Sequence, residues 1–203
     1  YYNLFCRMKN CIKVFLTICL ILFINQTISV FALELGDEAP NLIGADARSS
    51  KMLNLYRLMV GMSFKKDAAG QPIIGADGKY ISVFTRNVVT LNFFARSCVP
   101  CIREIPTYNR IARSFKGDAV KMLYVNVDPG IDQNEILRLI DKYKIDIPVM
   151  MPNQKEVIRT YDAKSLPLLV VIDQKRNIVY KMTGFNENLE KDLTRIINNL
   201  LTK

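Results

Sequence analysis

The sequence predicts an α/β fold: a central mixed β-sheet flanked by helices, with an N-terminal β-hairpin extension. Three observations predict it. Apolar runs of strand length occur at 88–95 (VVTLNFFA), 119–128 (AVKMLYVNVD) and 166–172 (LPLLVVI), the pattern of strands buried on both faces. Segments with apolar residues at helical spacing separate these runs. The early connections are long enough for helical crossovers and imply parallel neighbours, whereas the tight turn at 174–177 implies an antiparallel pair.

The chain has 203 residues, half of them hydrophobic, 23% charged, enough for one domain with a sizeable core. Residues 1–32 read as a leader. Lys9 and Lys13 precede an apolar stretch from Val14 to Ile24, and Val30 and Ala32 form a small-residue cleavage site. That is the layout of a secretory signal peptide cleaved after Ala32, with 1–7 as an upstream extension. The apolar stretch is shorter than the roughly 20 residues of a spanning helix, which makes an uncleaved signal anchor the weaker reading. The expected product, 33–203, is exported to the periplasm or the outer face of the cytoplasmic membrane.

Along that domain, 70–84 (GQPIIGADGKYISVF) sets Asp77-Gly78 between two short β-type runs, a hairpin signal. After the run at 88–95, a helix is expected from Cys98 to about Phe115, with Ile102, Ile105, Tyr108, Ala112 and Phe115 on one face and Pro106 kinking it. Asp132 and Glu135 stand at capping-box spacing before a second helix, and Asn153 with Glu156 before a third. A short extended piece at 147–151 lies between them. Two strands flank the turn at 174–177, and the chain closes with an amphipathic helix bearing Leu189, Leu193, Ile196, Ile197 and Leu200.

The net charge of +9 includes three leader cations, Arg7, Lys9 and Lys13. The remainder is scattered over helix-like segments and reads as a solvated surface. Nucleic-acid binding would want aromatics interleaved with a basic stripe, and none is present.

The chemistry concentrates at Cys98-Val99-Pro100-Cys101. Of five cysteines, Cys6, Cys11 and Cys19 fall in the leader. A bridge closing so short a loop restrains the unfolded chain little, so a structural staple explains the pair poorly. At the first turn of a helix, residues three apart can reach disulfide geometry. The positive helix end favours a thiolate on Cys98, and Cys101, further in, is the shielded resolving thiol. Arg96 and Arg103 would add to this if they faced the sulfur. The chemistry is thiol–disulfide exchange. A zinc site needs three or four ligands, typically Cys and His, and the chain has no histidine. Covalent haem attachment needs His where Ile102 stands, and a peroxiredoxin would carry Thr or Ser where Ala95 stands. No metal and no cofactor are expected.

The segment VVTLNFFARSCVPCIREIPTYNRI resembles the active-site segment of thioredoxin-fold proteins, specifically the exported TlpA/ResA type. Asn92, Phe93, Ala95, Cys98, Pro100, Cys101, Glu104 and Pro106 match its pattern, and YDAKSLPLLVVIDQKRNIVYKMTGF resembles its downstream segment. The resemblance spans about 34–203 apart from an insertion around 56–80. It implies a thioredoxin-like fold and a cis peptide before Pro167 packed against the cysteines, with Leu166 offering its backbone to an extended substrate. It also implies a place for Glu104 near the pair as a proton relay, although an exposed helix glutamate is the competing reading. Asn92 stands where cytosolic thioredoxins keep a buried Asp, and an amide cannot accept that proton. Gly184 resembles the family glycine near the site.

The chain departs from the pattern at Ser97, which replaces a tryptophan, at Phe94, and at Leu168, which replaces Thr. In the turn, Asn177 is expected to take the left-handed conformation usually left to Gly. The function implied is an exported thiol–disulfide oxidoreductase reducing partner-protein disulfides, with apocytochrome c or its chaperones as clients and a membrane electron donor. The alternatives are a disulfide oxidase or isomerase, and a non-catalytic binding module.

Overall fold

The structure, a computed structural model, describes residues 33–117 and 119–202; the leader expected at 1–32 lies outside the described residues. The elements are β1 (Ile43–Asp46), β2 (Met52–Asn54), α1 (Leu55–Leu58), β3 (Val60–Phe64), β4 (Ser82–Arg86), β5 (Val88–Phe94) and α2 (Val99–Ser114). They continue with β6 (Val120–Asn126), α3 (Gln133–Lys142), β7 (Val149–Pro152), α4 (Gln154–Tyr161), β8 (Leu168–Ile172), β9 (Ile178–Thr183) and α5 (Leu189–Leu201).

Seven strands form one sheet in the order β2-β1-β7-β6-β5-β8-β9. The β5–β6 and β6–β7 pairs are parallel, as their helical crossovers require, and the other pairs are antiparallel. Side chains of the central strands divide by the period of two. Val88 and Phe94 of β5 join Met122, Tyr124, Leu169 and Val171 in one core layer with α2, α3 and α5. Val89, Leu91 and Phe93 join Leu123, Val125 and Val170 in the other, with α1 and α4. Burial on both faces is why these strands read as unbroken apolar runs.

Helix starts follow their caps. Asp132 accepts the Glu135 N–H while Glu135 reaches back to the Asp132 N–H, a complete capping box, and Asn153 accepts the Glu156 N–H at 3.1 Å. The active helix α2 runs through Pro106 without interruption.

Two local expectations need correction. The Asp77-Gly78 turn is present, with Gly78 at φ 76°, and its flanks meet at the Ile74–Tyr80 bridge and through the Gly75 and Ile81 N–H groups on the Lys79 and Ile73 carbonyls, but they do not form the ladder. The ladder instead pairs β3 with β4, from Val60–Arg86 to Phe64–Ser82. The cause is a second turn: Asp67 Oδ1 accepts the N–H groups of Ala69 and Gln71 at 2.9 and 2.8 Å, with Gly70 at φ 79°. The run at 71–74 is thereby only a leg between two turns. The whole excursion is pinched at its base, where the Asn87 N–H meets the Met59 carbonyl at 2.8 Å and Asn87 Nδ2 the Leu58 carbonyl at 2.7 Å.

In the β8–β9 turn the left-handed residue is Arg176, at φ 77°, and not Asn177. Asp173 decides this. Its Oδ1 accepts the N–H groups of both Lys175 and Asn177, and its Oδ2 the Asn177 side-chain amide at 3.3 Å, which holds Asn177 as a turn exit and leaves the positive φ to Arg176.

Candidate active site

The site begins where β5 ends. The Phe94 carbonyl accepts the Val127 N–H, and the Ala95 carbonyl the Cys98 N–H, both at 3.0 Å. Between them, Asp128 Oδ2 accepts the Arg96 N–H at 2.7 Å and the Asn126 Nδ2 at 2.8 Å. Asn126 and Asp128 are both buried. This pair fixes the loop that delivers Cys98. Sequence reasoning missed it, although two polar residues closing an otherwise apolar strand were a signal. Arg96 is turned to carboxylates: its guanidinium bonds Glu135 at 3.0 Å and lies 3.9 Å from Asp128. Ser97 is exposed.

Cys98 is the N-cap of α2. Its Sγ accepts the Cys101 N–H at 3.2 Å, and Pro100 occupies the first turn, where a missing N–H costs nothing. The two cysteines are joined in a disulfide with Cα atoms 5.3 Å apart. They differ in access: Cys101 is 2% exposed, whereas Cys98 is half-buried and Val99 between them faces solvent. No acidic side chain occupies the first turn of α2, so nothing there opposes the positive helix end.

The Leu166–Pro167 peptide is cis. Register brings it to the same end of the sheet as the cysteines, because Phe93 pairs with Leu168 in antiparallel β5–β8, one step from each segment's exit. The Pro167 carbonyl accepts the Gly184 N–H at 2.8 Å, with Gly184 at φ 90°. Cys98 and Leu166 each pack against both core layers.

Glu104, one turn along α2 from Cys101, is 2% exposed, which removes the reading as a surface glutamate. Its Oε1 accepts the Asn186 N–H at 3.0 Å, while Oε2 has no hydrogen-bond partner among the described residues. Burial pushes its carboxyl above the usual carboxylate range, opposed by the Asn186 N–H and by the Asn92 carboxamide beside it. Asn92 is itself buried, with Oδ1 unpartnered. The carboxyl and the carboxamide are thus a buried polar pair between β5 and α2.

Residues 70–181, more than half of the chain, match the AhpC/TSA family. The chain belongs to that family. Among named members of this thioredoxin-like group, it is 29% identical to the thiol-disulfide oxidoreductase ResA of Geobacillus kaustophilus over 110 residues, covering 53% of this chain and 62% of that one. It is 27% identical to ResA of Bacillus thuringiensis over 139 residues, covering 66% and 79%. The chain therefore spans between three-fifths and four-fifths of these relatives. In fold it is similar to the thioredoxin domain of a thiol-disulfide oxidoreductase from Bacteroides vulgatus, with a TM-score of 0.62 at 18% identity over 82% of this chain and all of that domain. The AhpC/TSA chain has the thioredoxin-like architecture expected from its motifs, and oxidoreductase chemistry is what its named relatives and its cysteine pair have in common.

Proposed function

We propose that this oxidoreductase reduces disulfides of partner proteins outside the cytoplasm, using Cys98 as nucleophile and Cys101 as resolving thiol. The observation that carries the reading is the unequal access of two bonded cysteines at one helix N-terminus. In the reduced enzyme, the Cys98 thiolate attacks a substrate disulfide. A Cys98–substrate disulfide forms, and the first substrate sulfur leaves as a thiolate that takes up a proton. Cys101 then gives up its proton and attacks Cys98 Sγ. The Cys98–Cys101 disulfide forms, and the second substrate sulfur is released. Substrate gains two electrons from the cysteine pair and two protons, one given up by Cys101 and one taken from solvent; a membrane dithiol donor restores the electrons.

Leu166 presents its backbone beside Cys98 to an extended substrate segment, and Pro167 shapes that surface. Glu104 is the buried group able to hold the proton that Cys101 must lose. Export rests on the leader at 1–32, with 33–203 as the working domain and 56–80 as its insertion. The client class that the resemblance of the active-site segment to the TlpA/ResA type implies is apocytochrome c thiols or their chaperones.

Trapping tests the mechanism. Cys101→Ser should accumulate mixed disulfides through Cys98 in extracts of the exported fraction, identified by mass spectrometry. Their absence overturns the exchange mechanism. Direction is read from the reduction potential: a value near about −270 mV supports the reductant, and one near about −120 mV an oxidase.

A further inference from the structure

The β3–β4 excursion carries an apolar face that is largely exposed among the described residues. Residues directly opposite in an antiparallel ladder share a face, so Val60, Met62 and Phe64 stand beside Phe84, which pairs with Met62. These four side chains are 51%, 66%, 44% and 70% exposed, where a side chain serving the core would be covered. At the far end Phe64 packs on Tyr80 with ring centroids 5.2 Å apart, and Tyr80 and Ile74 are also more than half exposed. The excursion is also basic. Lys65, Lys66, Lys79 and Arg86 are exposed, and among the described residues none of them forms an ion pair. Its two acids accept backbone N–H groups in the turns, Asp67 from Ala69 and Gln71 and Asp77 from Lys79, and are outnumbered by the four cations.

We propose that this hairpin docks on an anionic lipid surface, its Met62–Phe84 face entering the interface and its cations meeting the headgroups. An apolar face with unpaired cations at its margin is the chemistry of interfacial membrane binding, where buried apolar area and attraction to anionic lipid add. Charge separates this occupant from a second copy of the chain. Face-to-face pairing of two hairpins would bring Lys65, Lys66 and Arg86 of both copies together without counter-charge. The pinched base, closed by Met59 and Asn87, lets the hairpin bind as a unit while the sheet and the cysteine site stay as they are.

The absence of tryptophan from the chain gives a clean test. Phe84→Trp in the full-length protein places a single reporter on the face, and its emission reads position 84 however the leader behaves. Met62→Trp is a second reporter should the first perturb folding, checked by circular dichroism. Vesicles of phosphatidylglycerol and phosphatidylethanolamine should shift the emission to the blue, and lipids brominated on the acyl chain should quench it. Lys65→Glu with Lys66→Glu should weaken partitioning by at least roughly thirtyfold, at just over about fivefold per lost cation. Three results overturn the proposal: no shift with anionic vesicles, equal partitioning into neutral phosphatidylcholine, or a shift that follows protein concentration without lipid, which would assign the face to a second copy.

Discussion

Glu104 Oε1 accepts the Asn186 N–H at 3.0 Å, which ties the active helix α2 to the loop between β9 and α5. The same loop begins just after Gly184, whose N–H holds the Pro167 carbonyl. One buried carboxyl therefore links the cysteine helix to the segment that positions the cis-proline, and its protonation state bears on both.

The first prediction concerns pH. Burial raises the folded-state Glu104 pKa above its ordinary 4.5. Between that value and the raised one the folded protein holds the proton more than the unfolded chain does. Stability must then fall as pH rises through this window. Glu104→Gln, which cannot ionise, should escape the loss. Urea midpoints measured from pH 4 to 8 should show the wild type declining relative to Glu104→Gln above about pH 4.5, and parallel curves would contradict the assignment.

Asp128 should matter for both stability and rate. Asp128→Ala removes the acceptor of the Arg96 N–H and of the Asn126 amide, in a site that is 4% exposed. Leaving such donors unpaired costs about 1–3 kcal/mol. Because the loop delivers Cys98, disulfide exchange with a model substrate should slow as well. Denaturant unfolding and exchange kinetics on the same variant read the two effects.

In the reduced protein, iodoacetamide should modify Cys98 well before Cys101. The half-buried Cys98 sits at the helix N-terminus, where a thiolate is favoured, and Cys101 is almost wholly enclosed. Peptide mapping after brief labelling should find the adduct on Cys98, with Cys101 labelled only on unfolding. Equal labelling would mean the access difference is not kept when the disulfide opens.

What was legible in the sequence were features with short-range causes. Apolar runs located β5, β6 and β8 because both faces are buried, and capping side chains located α3 and α4. The Cys98–Cys101 pair was legible because its spacing is its chemistry. Glu104 was not settled by sequence. Its position fits either a wet surface or a packed interior, and only the register of α5 and the Asn186 loop against α2 decides between them. Asn126 and Asp128 act on a loop far from them in sequence, which local pattern does not report. The Asp77-Gly78 signal marks a real turn but not the ladder, because the second turn at Asp67 and Gly70 makes 71–74 a leg and leaves the pairing to β3 and β4. Asn177 was misread for a related reason: the Asp173 side chain, not the intrinsic preference of Asn, sets which turn residue takes positive φ.

Arg176 allows that last point to be measured. At φ 77° a residue with a Cβ bears a backbone cost of about 1–2 kcal/mol. Against this, its guanidinium lies 4.4 Å from the Tyr56 ring centroid and pairs with Glu38. A cation over an exposed ring is worth about 0.5–1 kcal/mol, and an exposed ion pair about 0–1. Arg176→Ala keeps the strain and loses both contacts, so it should destabilise by about 1 kcal/mol. Arg176→Gly loses the same contacts but removes the strain, and the opposing terms should nearly cancel. The Gly variant should therefore unfold at higher urea than the Ala variant, by about 1 kcal/mol when converted through a common slope. Equal midpoints would mean the turn relaxes away from the left-handed conformation, since only there does the missing Cβ separate the two substitutions.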